Sequence, residues 1–126
     1  MPISKGDKAA AKRVLQGART AIENRNYGFA RARKNIRTLE YFGWIDRDML
    51  EIISSLSYSD YYQGPLHDRN IASSPDLWVF FANRASVRIY IKFSLDYGVE
   101  DPPRIFIQSF HVSDEDMARL EEGEAF

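Results

Sequence analysis

The hydrophobic pattern of this chain changes its period about halfway along. In the first half apolar residues recur every three or four positions, and Ala11, Val14, Leu15, Ala18 and Ile22 form one helical stripe. This spacing predicts a helix over residues 1–24, with Ser4 as N-cap and Asp7 as its reciprocal partner. The run "NRNYG" ends it, since Asn and Gly favour turns. Residues 27–57 read as a short strand at "YGFA" and two helices. One covers 30–41 with Ala32, Ile36 and Leu39 inward. The other starts at Asp46 as N-cap, with Ile45 and Leu50 as a hydrophobic staple and Met49, Leu50, Ile53 and Leu56 as its buried stripe.

Past residues 60–75, which read as a polar, aromatic loop around Gly64-Pro65, the period falls to two. "LWVFF" (77–81) is an apolar run of the kind expected of a strand covered on both faces. In "VRIYIKFSL" (87–95), Val87, Ile89, Ile91, Phe93 and Leu95 point one way and Arg88, Tyr90, Lys92 and Ser94 the other. "RIFIQSFH" (104–111) is a third long strand, introduced by Pro102-Pro103, which cannot lie inside a central strand. Asn83 to Ser86 supplies a hairpin turn. A short helix over 113–121 carries Asp114, Glu115 and Asp116 in its first turn, where the dipole favours them, and the acidic stretch 113–126 closes the chain. Helices followed by antiparallel strands over 77–111 predict one α+β domain over 1–126. Its N-terminal helices pack on one face of a small, mainly antiparallel sheet.

Charge sharpens this picture. Residues 1–40 hold ten lysines and arginines against three acids, a net of +7, while the remainder carries −8. A basic third suits phosphate or an acidic partner protein. Solvated helix faces, partly neutralised by the acidic C-terminus, account for it as well. No apolar run approaches the roughly 20 residues that span a bilayer. "MPISKGDKAA" lacks a secretory apolar segment, so a cytoplasmic protein without membrane attachment is expected. With no cysteine, disulfides and thiolate metal sites are excluded. Glycine-rich phosphate loops, metal-ligand spacings and nucleophile elbows are missing, and no cofactor is expected.

Candidate chemistry lies mainly on the 87–95 strand. Arg88, Tyr90 and Lys92 share one face, and residues two apart there stand about 7 Å from each other. That spacing suits neighbouring oxygens of a phosphodiester, although any solvent-facing sheet carries such residues. His111 and His67 have the side chain best suited to proton transfer near neutrality. A lone histidine in such a place is more often structural than catalytic. Trp78 and Phe80 read as core.

Four motifs then combine. "SLSYSDYYQGP", "DLWVFF", "VRIYIKF" and "IFIQSFH" resemble, in order and spacing, the MqsR family of toxin–antitoxin ribonucleases. The match covers residues 56–111 and extends back to about residue 27; the first 20 or so residues and the acidic C-terminus have no counterpart. The resemblance implies a RelE-like fold, metal-independent mRNA cleavage that arrests growth, and a cognate antitoxin. It also implies that Tyr90 and Lys92 match the family's strand tyrosine and lysine, and Asp60, Tyr61 and Tyr62 its Asp-aromatic-Tyr step. Gln63 replaces a catalytic lysine, Val79 a glutamine and His111 a lysine. A branch with Tyr-x-Gly-Pro, Leu-Trp-Val-Phe and Ser-Phe-His is similar to this chain.

The reaction uses the 2′-hydroxyl as nucleophile and needs a base, an acid and cations for the phosphorane. On the implied roles Lys92 stabilises charge, Tyr90 holds phosphate or shuttles a proton, and His111 is acid or base. Tyr62 and Gln63 position the nucleotide, with His67, Arg69 and Arg88 as further substrate-binding candidates. Two alternatives stay open: a catalytically inactive toxin-like interaction protein, and an RNA-binding module using the basic helices. A homodimer and a toxin–antitoxin hetero-oligomer are both compatible with the sequence.

Overall fold

A computed structural model of the chain describes residues 5–67, 75–98 and 103–123. Five strands form one mixed sheet: β1 (Tyr27–Phe29), β2 (Tyr61–Leu66), β3 (Leu77–Arg84), β4 (Val87–Asp96) and β5 (Arg104–His111). Their order is β1-β5-β4-β3-β2, with β1 parallel to β5 and every other pairing antiparallel. Among the described residues four helices, α1 (Lys5–Glu23), α2 (Arg33–Phe42), α3 (Asp46–Ser54) and α4 (Asp114–Glu121), complete an α+β domain.

The alternation read in β4 sets the core. Val87, Ile89, Ile91, Phe93 and Leu95 are all buried, in one cluster with Leu15 and Ala18 of α1, Met49 and Ile53 of α3, and Leu120 of α4. Phe80 and Phe93 stack across β3 and β4 at 5.6 Å. Each fully buried side chain of this size contributes about 1.5–3 kcal/mol. β3 is only partly covered on its second face: Val79 is buried there, whereas Phe81 is half-exposed.

The helix ends depart from the sequence reading in informative ways. α2 starts at Arg33, and its buried residues are Asn35, Thr38 and Leu39, with Ala32 exposed. The cap of α3 is Ile45, not Asp46: the Asp48 carboxylate accepts from the Ile45 N–H at 2.8 Å. Asp46 is thereby free to accept from the Tyr27 hydroxyl at 3.0 Å and from both Arg31 terminal nitrogens at 2.9 and 2.6 Å. The Arg31 hydrogen bonds hold its carboxyl below the usual aspartate range. Ile45 is 59% exposed and takes the N-cap position itself rather than the one before it, and Ile52 completes the buried stripe in which Leu50 is only half-buried. Ser4 and Pro102 lie outside the described residues. α4 is capped as expected, its Ser113 Oγ accepting from the Asp116 N–H at 3.1 Å.

The loop expected over 60–75 is a strand for its first part. After a 3₁₀ turn at Tyr58–Asp60, β2 pairs with β3 through Tyr61, Gln63 and Leu66, with irregular register between them. Pro65 has no N–H to give, and β2 is the sheet edge, where that costs nothing. Gly64 has φ 134, and a Cβ there would lie 2.9 Å from the Leu77 carbonyl oxygen. The β3–β4 turn is also tighter than expected: Arg84 pairs with Val87, leaving only Ala85 and Ser86, at φ 50 and 64.

β5 contains the most consequential irregularity. Phe93 pairs with Ile107 but Lys92 with Ser109, so Gln108 is an extra, unpaired residue. Before it Ile105 and Ile107 face the core; after it Phe110 and Val112 do. The bulge therefore reverses the parity of the strand end. Asn35, 1% exposed, spans it: its amide nitrogen donates to the carbonyls of Ala30 (2.9 Å) and Gln108 (3.0 Å), and its oxygen accepts from the Phe110 N–H (3.0 Å). One turn on, Thr38 Oγ1 accepts from the Val112 N–H at 3.3 Å.

Asn35→Ala would remove the partner of the buried Phe110 N–H and of two part-buried carbonyls, and a loss of about 3 kcal/mol in urea unfolding is expected. Thr38→Val, which removes this long bond and the donation of the same hydroxyl to the Lys34 carbonyl at 3.0 Å, should cost about 1 kcal/mol. In the opposite direction, Ala85→Asn with Ser86→Gly relieves two left-handed residues in a two-residue turn. A gain of about 1–2 kcal/mol is expected, read as a higher thermal midpoint.

Candidate functional site

Two register features bring one row of rings across the open face of the sheet. The two-residue turn sets Phe81 opposite Tyr90, and the β5 bulge sets His111 opposite Tyr90 on its other side. Tyr62, at the irregular register of β2, completes the row. Its ring lies 5.0 Å from that of Phe81, Phe81 lies 5.6 Å from Tyr90, and Tyr90 lies 5.6 Å from His111. The Arg88 guanidinium stands 4.3 Å over the Phe81 ring. Four strands at about 4.8 Å spacing make this ladder about 14 Å wide. Tyr62 is 60% exposed, while Tyr90 and His111 are half-buried.

A second row runs beside the first. Gln63, Val79, Lys92 and Ser109 are successive cross-strand partners. Lys92 is two residues from Tyr90, about 7 Å along the strand on the same face. Val79, fully buried, separates Lys92 from the exposed Gln63. Tyr61 turns the other way: it packs on Phe80 of the core, and its hydroxyl donates to the Gly64 carbonyl.

Hydrogen bonds and burial constrain the proton chemistry. The His111 Nδ1–H donates to the Val112 carbonyl at 3.0 Å, because a carbonyl can only accept. In the neutral ring Nε2 is then the acceptor. Burial, and secondarily the nearby Tyr62 phenol, push the Tyr90 phenol above the ordinary tyrosine value of 10.0. Tyr90 is thus a neutral hydrogen-bond donor near pH 7. A proton acceptor, a proton donor and an ammonium group share one open face.

Of the residues singled out in the sequence, Tyr62, Gln63, Arg88, Tyr90, Lys92 and His111 are gathered on this face. His67 is not. It follows β2 near Leu77, four residues along β3 from Phe81 and so about 13 Å from the ladder, with Nδ1 3.5 Å from the Asp76 carboxylate. Arg69 lies outside the described residues. Phe81 is the member that sequence reasoning missed; a turn centred on 85–86, which makes 81 and 90 equidistant from it, is the signal that finds it. Among the described residues no three His, Asp or Glu side chains are placed to hold a metal ion. No described helix is long and apolar enough to cross a membrane. A mainly apolar cavity of about 640 Å³ beside Ile22, Tyr27 and Leu50 shares no residue with the ladder.

The Tyr90 environment is directly measurable. Its phenolic carbon resonance should stay constant up to about pH 10 and titrate only above it, since the neutral form is favoured. In Tyr62→Phe the Tyr90 midpoint should fall but remain above 10.0, because burial, the larger cause, is untouched.

Compared with protein-family models, curated proteins and solved structures, the chain has no match.

Proposed function

We propose that this chain is the toxin of a toxin–antitoxin pair: a RelE-like, MqsR-type endoribonuclease that cuts single-stranded mRNA without a metal and so arrests growth. The observation that carries the reading is the ring ladder Tyr62–Phe81–Tyr90–His111 with Lys92 beside its proton-transfer end. Unpaired bases stack on such rings with about 1–3 kcal/mol each, whereas a duplex keeps its bases stacked on one another. An open sheet face also suits a polymer better than an enclosed pocket does. A cognate antitoxin covering the same face would silence the enzyme.

The chemistry follows from the atoms available. His111 Nε2 removes the 2′-hydroxyl proton, and the oxygen attacks its own phosphorus. Lys92 neutralises charge on the phosphorane, and the Tyr90 hydroxyl donates toward the departing 5′-oxygen. The products are a 2′,3′-cyclic phosphate and a 5′-hydroxyl. One observation favours a second reading, a non-catalytic RNA-binding protein: the Gln63–Val79 part of the second row carries no titratable group.

Wild type, Lys92→Ala and His111→Ala should be incubated with single-stranded RNA in the presence of a chelator, and the ends mapped. The expected loss is about 10²- to 10⁴-fold in rate for each variant, with growth arrest lost on induced expression of Lys92→Ala. Tyr62→Ala and Arg88→Ala should instead weaken RNA binding, by about 1–3 kcal/mol each. Tight binding without any cleavage by wild type would select the second reading. Undiminished cleavage by both catalytic variants would sink the first.

A further inference from the structure

The basic N-terminal third is not uniformly neutralised. Acids of α4 meet cations of α2: Asp114 lies 3.4 Å from Lys34, and Glu121 pairs with Arg37. Lys8 and Lys12 of α1 make no such ion pair among the described residues. Instead both ammonium groups converge on one ring, Tyr58, at 4.4 and 5.0 Å from its centroid. Two like charges four residues apart on a helix repel, at a cost of a few tenths of a kcal/mol. The ring face offsets part of that repulsion and holds both cations at one place.

The surroundings make this a built cluster. Arg19 donates from Nε to the Ser54 carbonyl at 2.9 Å and from a terminal nitrogen to the Leu56 carbonyl at 2.6 Å. It thereby fixes the backbone that leads into the Tyr58 turn. Ser57 and Ser59 bring their hydroxyls within 2.7 Å of each other on that turn, and the nearby Asp60 carboxylate is engaged by the Ser57 N–H at 2.9 Å. A cavity of about 370 Å³ opens between Lys12, Gln16, Arg19, Ser57 and Tyr58.

Position gives the cluster its meaning. Tyr58 is only four residues before Tyr62, the outer rung of the ladder, so their backbones stand at most about 14 Å apart. We infer that Lys8, Lys12 and Tyr58 form a second phosphate-binding site, which holds the RNA backbone where it leaves the ladder and passes over the β2 edge. The inference rests on the RNA-binding reading of the ladder and adds a footprint beyond it. Lysines that meet phosphate oxygens position a strand and carry no sequence information. The site's contribution is affinity and direction of threading.

The test uses 2′-O-methyl RNA, which has no nucleophile and is not cut. Binding of strands of about 4 and about 12 nucleotides is measured by fluorescence anisotropy across a salt series, for wild type and Lys8→Gln/Lys12→Gln. In wild type the longer strand should bind more tightly. The double variant should lose about tenfold for the longer strand, with its log–log salt slope reduced by about 1.4, and should bind the shorter strand unchanged. Tyr58→Phe, which keeps the ring, should behave as wild type. A variant that merely unfolds more easily, with the salt slope intact, would overturn the inference in favour of a structural clasp. Lost binding of polyglutamate with RNA binding unchanged would overturn it in favour of an acidic protein partner. Failure of the shorter strand to bind wild type, with the longer strand still lysine-dependent, would remove the ladder reading and leave this site standing.

Discussion

The place of His111 on the open face, and with it the proton-transfer end of the ladder, depends on one buried amide. Asn35 satisfies the backbone on both sides of the Gln108 bulge, and in doing so permits β5 to change parity within the sheet. Without the extra residue the Ile105–Ile107 alternation would carry on inward to Ser109 and His111, and Phe110 would face solvent. A bulge in the middle of a sheet leaves carbonyls and N–H groups unpaired, and buried groups of that kind cost about 1–3 kcal/mol each. α2 supplies their partners, which explains why its inner face is polar at Asn35 and Thr38. Packing and hydrogen bonding here serve one end: an imidazole opposite a phenol on the solvent side of a well-packed sheet.

The opposite edge of the sheet is handled in a different way. β2 is short, irregular, and carries Pro65, so it offers few unpaired N–H groups to another strand. Its irregularity also has a positive role, because it turns Tyr62 outward beside Phe81 while Tyr61 faces the core. Among the four strands under the ladder, the two flanking ones, β2 and β5, thus deliver side chains through departures from regular pairing. The two inner ones do so through regular pairing set by a two-residue turn.

This division explains how much of the molecule was legible in the sequence. The strictly alternating β4 could be read residue by residue, and with it Arg88, Tyr90 and Lys92 on one face. Helices with a 3.6-residue stripe were legible in number and approximate place. What escaped were features decided by long-range hydrogen bonds. Asp46 looked like a cap but is claimed by Arg31 and Tyr27, far from it in sequence, and Asp48 takes its role. β2 looked like a loop because Gly64 and Pro65 punctuate it, and only pairing with β3 makes it a strand. Phe81 was hidden within an apolar run, since both faces of "LWVFF" are apolar and only register separates them. His111 was visible as a residue, but its face was not, because nothing in "IFIQSFH" announces a bulge.

The rows also bear on what the resemblance implied. The positions at which this chain departs from the better-known pattern, Gln63 and Val79, are neighbours in the second row. The remaining departure, His111, lies in the first row, directly opposite Tyr90. The three positions therefore lie on one face of the sheet. In the proposed enzyme the second row carries only the Lys92 ammonium as a proton-handling group, while the first carries an imidazole whose Nδ1–H is held by the Val112 carbonyl. A lysine must surrender its charge to act as a base, whereas a neutral imidazole accepts a proton near neutrality without that cost. Lys92 is then left to stabilise charge alone, and base and donor stand side by side on adjacent strands. In the proposed enzyme the proton chemistry thus sits in the first row, and Gln63 is an exposed amide beside it.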